Sequence, residues 1–111
     1  MRDAVAMDEL VVIARFTAKP KLMDEVEETL RSLVSLSHRE QGCMRYAIHR
    51  TLDDPATFLL VQKWTDQRDL EEHFLQPHVK ALDDLGAYLS QPPEVWVATP
   101  LPEGDPDKGR I

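Results

Sequence analysis

The chain has 111 residues, 42% of them hydrophobic and 30% charged, which is the size and balance of one globular domain with a small core. Asp plus Glu number 20 and Lys plus Arg 13, so the net charge is −7; this excludes a nucleic-acid backbone binder, which needs clustered positive charge, and gives no reason to expect an anionic membrane as partner. The lone Cys43 excludes an internal disulfide, no apolar run approaches the ~20 residues that span a bilayer, and "MRDAVAMDEL" lacks the apolar core of a signal peptide, so a reducing cytoplasm is the expected compartment.

Residues 1–8 are polar and read as a tail. "ELVVIARFTA" is rich in β-branched and aromatic residues and predicts a strand over 9–17. Leu10, Val12, Ala14 and Phe16 fall on one face of it, and Val11, Ile13, Arg15 and Thr17 on the other. Pro20 suits the first turn of a helix. From there Met23, Val26, Leu30, Leu33 and Val34 form one stripe at three-to-four spacing, early glutamates favour the helix dipole, and Gly42 supplies the stop. A helix of about 20 residues is expected. "CMRYAIHRTLDDPATFLLVQKWTD" predicts a hairpin, with strands over 43–52 and 57–65 and turn chemistry in "DDPA". Asp66 is placed to cap a helix that Pro77 interrupts, giving a short helix, a break and a second helical piece. "PPEVWVATP" predicts a last strand over 94–99, and residues 100–111, rich in Pro, Gly and charge, read as a flexible tail.

The order is β-α-β-β-α-β, an α+β domain of ferredoxin-like pattern over residues 9–99 with an antiparallel sheet. Helices in such a domain cover one face of the sheet, whereas these strands are apolar on both. A second copy packed against the other face is the economical solution, making a homodimer the expected assembly.

Three stretches carry a family resemblance: "GCMRYAIHR" at 42–50, "DDPATFLLVQKW" at 53–64 and "LEEHFLQPHV" at 70–79. A strand opening Gly-Cys with Tyr three residues after the Cys, an Asp-Pro turn, a strand ending in Trp, and a helix with His before Pro-His resemble the antibiotic-biosynthesis-monooxygenase-like family, and within it the small quinol-monooxygenase-like members. The likeness spans about 9–99. It implies a dimeric α+β barrel and a monooxygenase that oxidises a quinol or polyphenol with dioxygen, using no metal or flavin cofactor; the protein would supply orientation, proton handling and a dry pocket. Two departures stand out. Gln62 occupies a position where the family often has Glu, and the chain contains no asparagine, the pocket residue of both the polyketide-tailoring and haem-degrading branches. The region "KALDDLGAY" also lacks the haem branch's histidine. A small-molecule-binding or isomerase-type member without oxygenase activity is the alternative, and a plain dimerisation module a second one.

With that resemblance, His73 is the candidate general base at a pocket mouth, since imidazole titrates near neutrality; an ordinary surface or capping histidine is the other reading. Trp64, ending a strand, is either an aromatic plug or a wall of the substrate pocket. Gln62, His78 and one of His49 or Tyr46 complete the candidate substrate-binding set. Simple alternation puts His49 with Cys43, Arg45 and Ala47, and Tyr46 with Met44 and Ile48, so only one of the two can line the pocket; the more apolar Tyr46 face is expected to meet the first helix. No metal site is expected: His73 and His78 are five apart across a proline, unlike the i, i+4 pair of HExxH sites, and no third ligand is adjacent. Arg15 is expected in a salt bridge across the dimer, and Cys43 as a buried structural thiol.

Overall fold

The computed structural model describes residues 8–111, so the expected tail at 1–8 lies, apart from Asp8, outside the described residues. Strand β1 (Leu10–Thr17) alternates as its sequence demands: Val12, Ala14 and Phe16 are buried, while Ile13 and Arg15 are not. Pro20 opens a 3-10 turn, Pro20–Leu22, that runs directly into helix α1 (Met23–His38). Helix α1 buries Val26, Leu30 and Leu33, with Met23 and Val34 packed at the margin, which is the stripe the spacing predicted.

Strands β2 (Cys43–Arg50) and β3 (Thr57–Trp64) form the expected hairpin. Its turn is held by Asp54, whose carboxylate accepts from the Ala56 N–H at 3.0 Å and from the Thr57 hydroxyl at 2.8 Å. Asp66 caps helix α2 (Gln67–Phe74), accepting from the Asp69 N–H at 2.8 Å. Pro77 then starts a new helix α3 (Pro77–Lys80), followed by a 3-10 stretch, Ala81–Tyr88, and strand β4 (Glu94–Ala98). The break at Pro77 is therefore where the sequence puts it: proline has no N–H to continue the ladder of α2 and begins the next turn instead.

All strand pairs are antiparallel, in the order β2-β3-β1-β4, and the helices lie on one face, making this a ferredoxin-like α+β domain. Phe58, Leu60, Val12 and Phe16 from the sheet and Val26, Leu30 and Leu33 from α1 join one core cluster. Each such side chain contributes about 1.5–3 kcal/mol on burial.

The opposite face is bare. Across it the register lines up Ala47, Val61, Ile13 and Trp96 in one continuous apolar row; Ile13 is 38% and Trp96 48% exposed. Arg15 lies in the next row and pairs with Glu94 of the same chain, its guanidinium 5.5 Å from the Trp96 ring. The sequence suggested a bridge across the dimer for Arg15; within the chain its guanidinium already has the Glu94 carboxylate as a partner. Residues 100–111 add nothing to the core, although Arg110 reaches back to Glu9 at 3.4 Å.

Candidate active site

His73 lies in the last turn of α2 and is 2% exposed. Its ring rests on the indole of Trp64 with centroids 4.3 Å apart and meets the edge of Tyr46 at 5.6 Å. Nδ1 bonds to Glu40 Oε2 at 2.8 Å, and His78 Nε2 bonds to that same oxygen, also at 2.8 Å. One carboxylate oxygen thus joins two imidazoles. Burial pushes the His73 pKa down, and the Glu40 carboxylate beside it opposes the shift in part; the neutral ring is the favoured form near neutral pH. Burial also pushes the Tyr46 phenol up to about 12, so Tyr46 stays protonated.

Each partner is delivered by a different element. Trp64 is fully buried at the end of β3, and its Nε1–H donates to Gln62 Oε1 at 2.9 Å, an internal pairing that satisfies both groups. Gln62 faces Tyr46 across the β2–β3 ladder, on the helix side of the sheet. His78 comes from α3, which Pro77 turns back toward α1. Glu40 sits just beyond the end of α1, its N–H on the Ser37 carbonyl at 3.1 Å and its carbonyl accepting from Cys43 N–H at 3.1 Å. Gly42 allows the close approach: a Cβ there would collide with the Asp69 side chain at the start of α2. The Gly42 carbonyl accepts from Thr65 N–H at 3.0 Å, which pins the α1–β2 connection against the β3–α2 connection.

A cleft of about 360 Å³ opens beside this cluster, lined in part by Leu36, Arg39, Glu40, Glu72 and His78. His73 and Trp64 lie beneath it. His73 is buried instead of standing at a pocket mouth, and of the two readings of Trp64 its full burial matches the aromatic plug: α2 packs its inner face onto the end of β3, and Glu40 and His78 are the members that reach the cleft. Tyr46 joins His73 on the helix side of the sheet, as the apolar face was expected to do. His49 is exposed on the other side, in a row with Leu59 and Arg15, and does not join the cluster.

Glu40 escaped the sequence reading altogether. It lies 33 residues before His73, in the polar stretch "SHREQG" where neither helical nor strand periodicity marks it. The lack of an adjacent third ligand, taken from the sequence as grounds against a metal site, is likewise corrected: Glu40 Oε2, His73 Nδ1 and His78 Nε2 all lie within 4.8 Å of one another. Cys43 is half-buried at the sheet edge, and burial raises its thiol pKa, which disfavours the nucleophilic thiolate.

Fold and site together define a ferredoxin-like α+β protein with a titratable cluster at the helix end of a small cleft. The chain belongs to the antibiotic biosynthesis monooxygenase family, whose sequence profile matches residues 9–84. Among relatives, Rv0793 of Mycobacterium tuberculosis is 27% identical over 85% of this chain and 93% of its own length, and YcnE of Bacillus subtilis is 28% identical over 85% and 99%; both carry monooxygenase names. The solved structure of Rv0793 superposes with a TM-score of 0.81 over 87% of this chain and 99% of that one, at 26% identity. A Pseudomonas aeruginosa protein of solved structure gives 0.79 over 85% and 95%, at 29% identity. Among the described residues no helix is long and apolar enough to cross a membrane.

Proposed function

We propose that this protein is a monooxygenase that oxidises an electron-rich aromatic small molecule, a quinol or polyphenol, with dioxygen, and that it works as a homodimer joined through the bare sheet face. The observation that carries the reading is the cluster of His73, Glu40 and His78 beside a cleft, with the His73 ring stacked on Trp64. A phenol held there loses its proton to His73, which Glu40 orients through Nδ1, so that the other ring nitrogen is the acceptor. The resulting anion is electron-rich enough to reduce dioxygen. One oxygen atom enters the ring and the other leaves as water, the quinol supplies all the electrons, and the product is a hydroxyquinone. No redox group of the protein is consumed in that balance.

Because the ring of His73 is covered, substrate approach requires the cleft wall at Glu40 and His78 to yield. Of its neighbours, Glu72 lies in the last turn of α2 and Gln76 in the α2–α3 junction just before Pro77. Closing that junction over a bound ring would exclude water from the anion.

The test is oxygen consumption by purified protein with a panel of hydroquinones, comparing wild type with His73→Ala. The variant should retain its assembly state and lose roughly 10²–10⁴-fold in turnover, the usual cost of a missing general base. Equal oxidation by both proteins would remove His73 from the chemistry. Saturable binding of a hydroquinone with no oxygen uptake by the wild type would favour the binding or isomerase alternative.

A further inference from the structure

Three ligand-capable atoms from three separate elements converge at the cleft: Glu40 Oε2, His73 Nδ1 and His78 Nε2. We propose that they form a binding site for a divalent transition-metal ion, with Zn²⁺ as the probe of choice, and that the metal-bound and hydrogen-bonded forms of the cluster are alternatives.

The spacing suits an ion. Each imidazole nitrogen lies 2.8 Å from the same carboxylate oxygen. Ligand atoms held about 2.1 Å from a tetrahedral ion lie about 3.4 Å apart, so each imidazole draws back from the shared oxygen by about 0.6 Å as an ion enters between them. A modest turn of the His78 side chain, 15% exposed at the cleft, brings the third atom into range, since all three ligand atoms already lie within 4.8 Å of one another. The donor set selects the metal class: two imidazoles and one carboxylate suit Zn²⁺, Cu²⁺, Ni²⁺ or Fe²⁺, whereas Mg²⁺ and Ca²⁺ prefer all-oxygen sites. Three protein ligands leave at least one coordination position free, and the cleft of about 360 Å³ lies on the open side to receive water or a ligand.

The surroundings favour a cation. Asp69 and Glu72 line the same cleft as Glu40, and Arg39 is the one guanidinium or ammonium group among its described lining residues. The ligands are also held in place before an ion arrives. His73 is clamped between Trp64 and Tyr46, and the backbone of Glu40 is tied on both sides. Such fixed ligands lose little conformational freedom on binding.

Occupancy changes the chemistry of the cluster. In the metal-free form each ring nitrogen that faces Glu40 shares a hydrogen bond with it; to ligate, that nitrogen must present its lone pair, so its proton shifts to the ring's other nitrogen. On the reading proposed above, that shift removes the acceptor His73 offers to a phenol, and a loaded site suppresses oxidation.

The experiment uses untagged full-length protein stripped with a chelator and titrated with zinc chloride by calorimetry, with circular dichroism to confirm that each variant folds. Wild type should bind one Zn²⁺ per chain. Glu40→Gln and His78→Ala should each weaken binding at least ~100-fold, beyond the ~10–100-fold cost of losing a merely supporting contact. His78 is on the rim and its removal spares the core, so this variant keeps the test valid if the Glu40 variant unfolds. The absence of one-per-chain binding by wild type, or unchanged affinity in the folded His78→Ala protein, overturns the site. Binding is read without substrate, so it stands apart from the oxidation assay: one-per-chain binding with zinc-insensitive hydroquinone oxidation upholds the ion site and overturns the base assignment of His73.

Discussion

Trp64 and Gln62 form the floor on which His73 rests, and their energetics separate packing from polar satisfaction. Trp64 is fully buried, so Trp64→Ala should lower stability by about 3–5 kcal/mol, measured by urea unfolding. Trp64→Phe keeps an aromatic ring under His73 but removes the N–H that Gln62 accepts at 2.9 Å. An orphaned buried acceptor costs about 1–3 kcal/mol, and Trp64→Phe combined with Gln62→Leu should recover part of that loss. A Phe variant as stable as wild type would show that the indole N–H contributes nothing. The Gln62 amide meets the indole as a neutral acceptor, so this buried pair carries no charge to desolvate.

At the scale of elements, the junctions decide where the cluster sits. Gly42 and Asp69 touch so closely that Gly42→Ala forces α2 away from the α1–β2 connection. Overpacking of this kind costs about 1–3 kcal/mol, and because Glu40 is two residues away, zinc affinity should fall along with stability. Asp66 caps α2 with a bond of 2.8 Å; Asp66→Ala should cost about 1 kcal/mol and fray the first turn of α2, visible as faster amide exchange at Asp69. The hairpin turn supplies a pH signature. Hydrogen bonds from the Ala56 N–H and the Thr57 hydroxyl hold the Asp54 carboxyl below the usual carboxylate value. A lowered folded pKa means the bonded form stabilises the fold above the ordinary carboxylate range and loses that contribution as pH falls through the folded value. Asp54→Ala should therefore be less stable than wild type at pH 7, with the gap shrinking in acid; a gap independent of pH would assign the cost to the turn backbone alone.

For the molecule as a whole, the bare sheet face is the dominant fact. The row Ala47, Val61, Ile13 and Trp96 runs the full width of the sheet without a covering layer, and a contiguous apolar surface of that kind calls for a partner. Light scattering should give twice the chain mass of 12.7 kDa. Ile13→Asp places a charge at the centre of the row, and Ile13 is already 38% exposed, so the isolated fold tolerates the change. The variant should shift toward monomer. A wild type that is monomeric at micromolar concentration would remove the dimer from the proposal.

The sequence by itself determined the order of elements and the sides of the sheet. Period-two alternation in β1 and, beyond the bulge between Cys43 and Arg45 that turns Cys43 toward the core, in β2, the three-to-four stripe of α1, the Asp66 cap and the Pro77 break are all local, and each depends on residues within a turn or two of one another. That is why Tyr46 could be assigned to the helix side and His49 to the other, and why the stretches from Gly42 onward carried the family resemblance. Only the tertiary structure decided the site. The meeting of Glu40 with His73 and His78 depends on how the end of α1 packs against α2 and α3, a contact across 33 and 38 residues of chain that no local period encodes. The same packing sealed His73 beneath the cleft instead of at its mouth, because burying the inner face of α2 against β3 removes apolar surface from water and leaves the polar rim, Glu40 and His78, to face it.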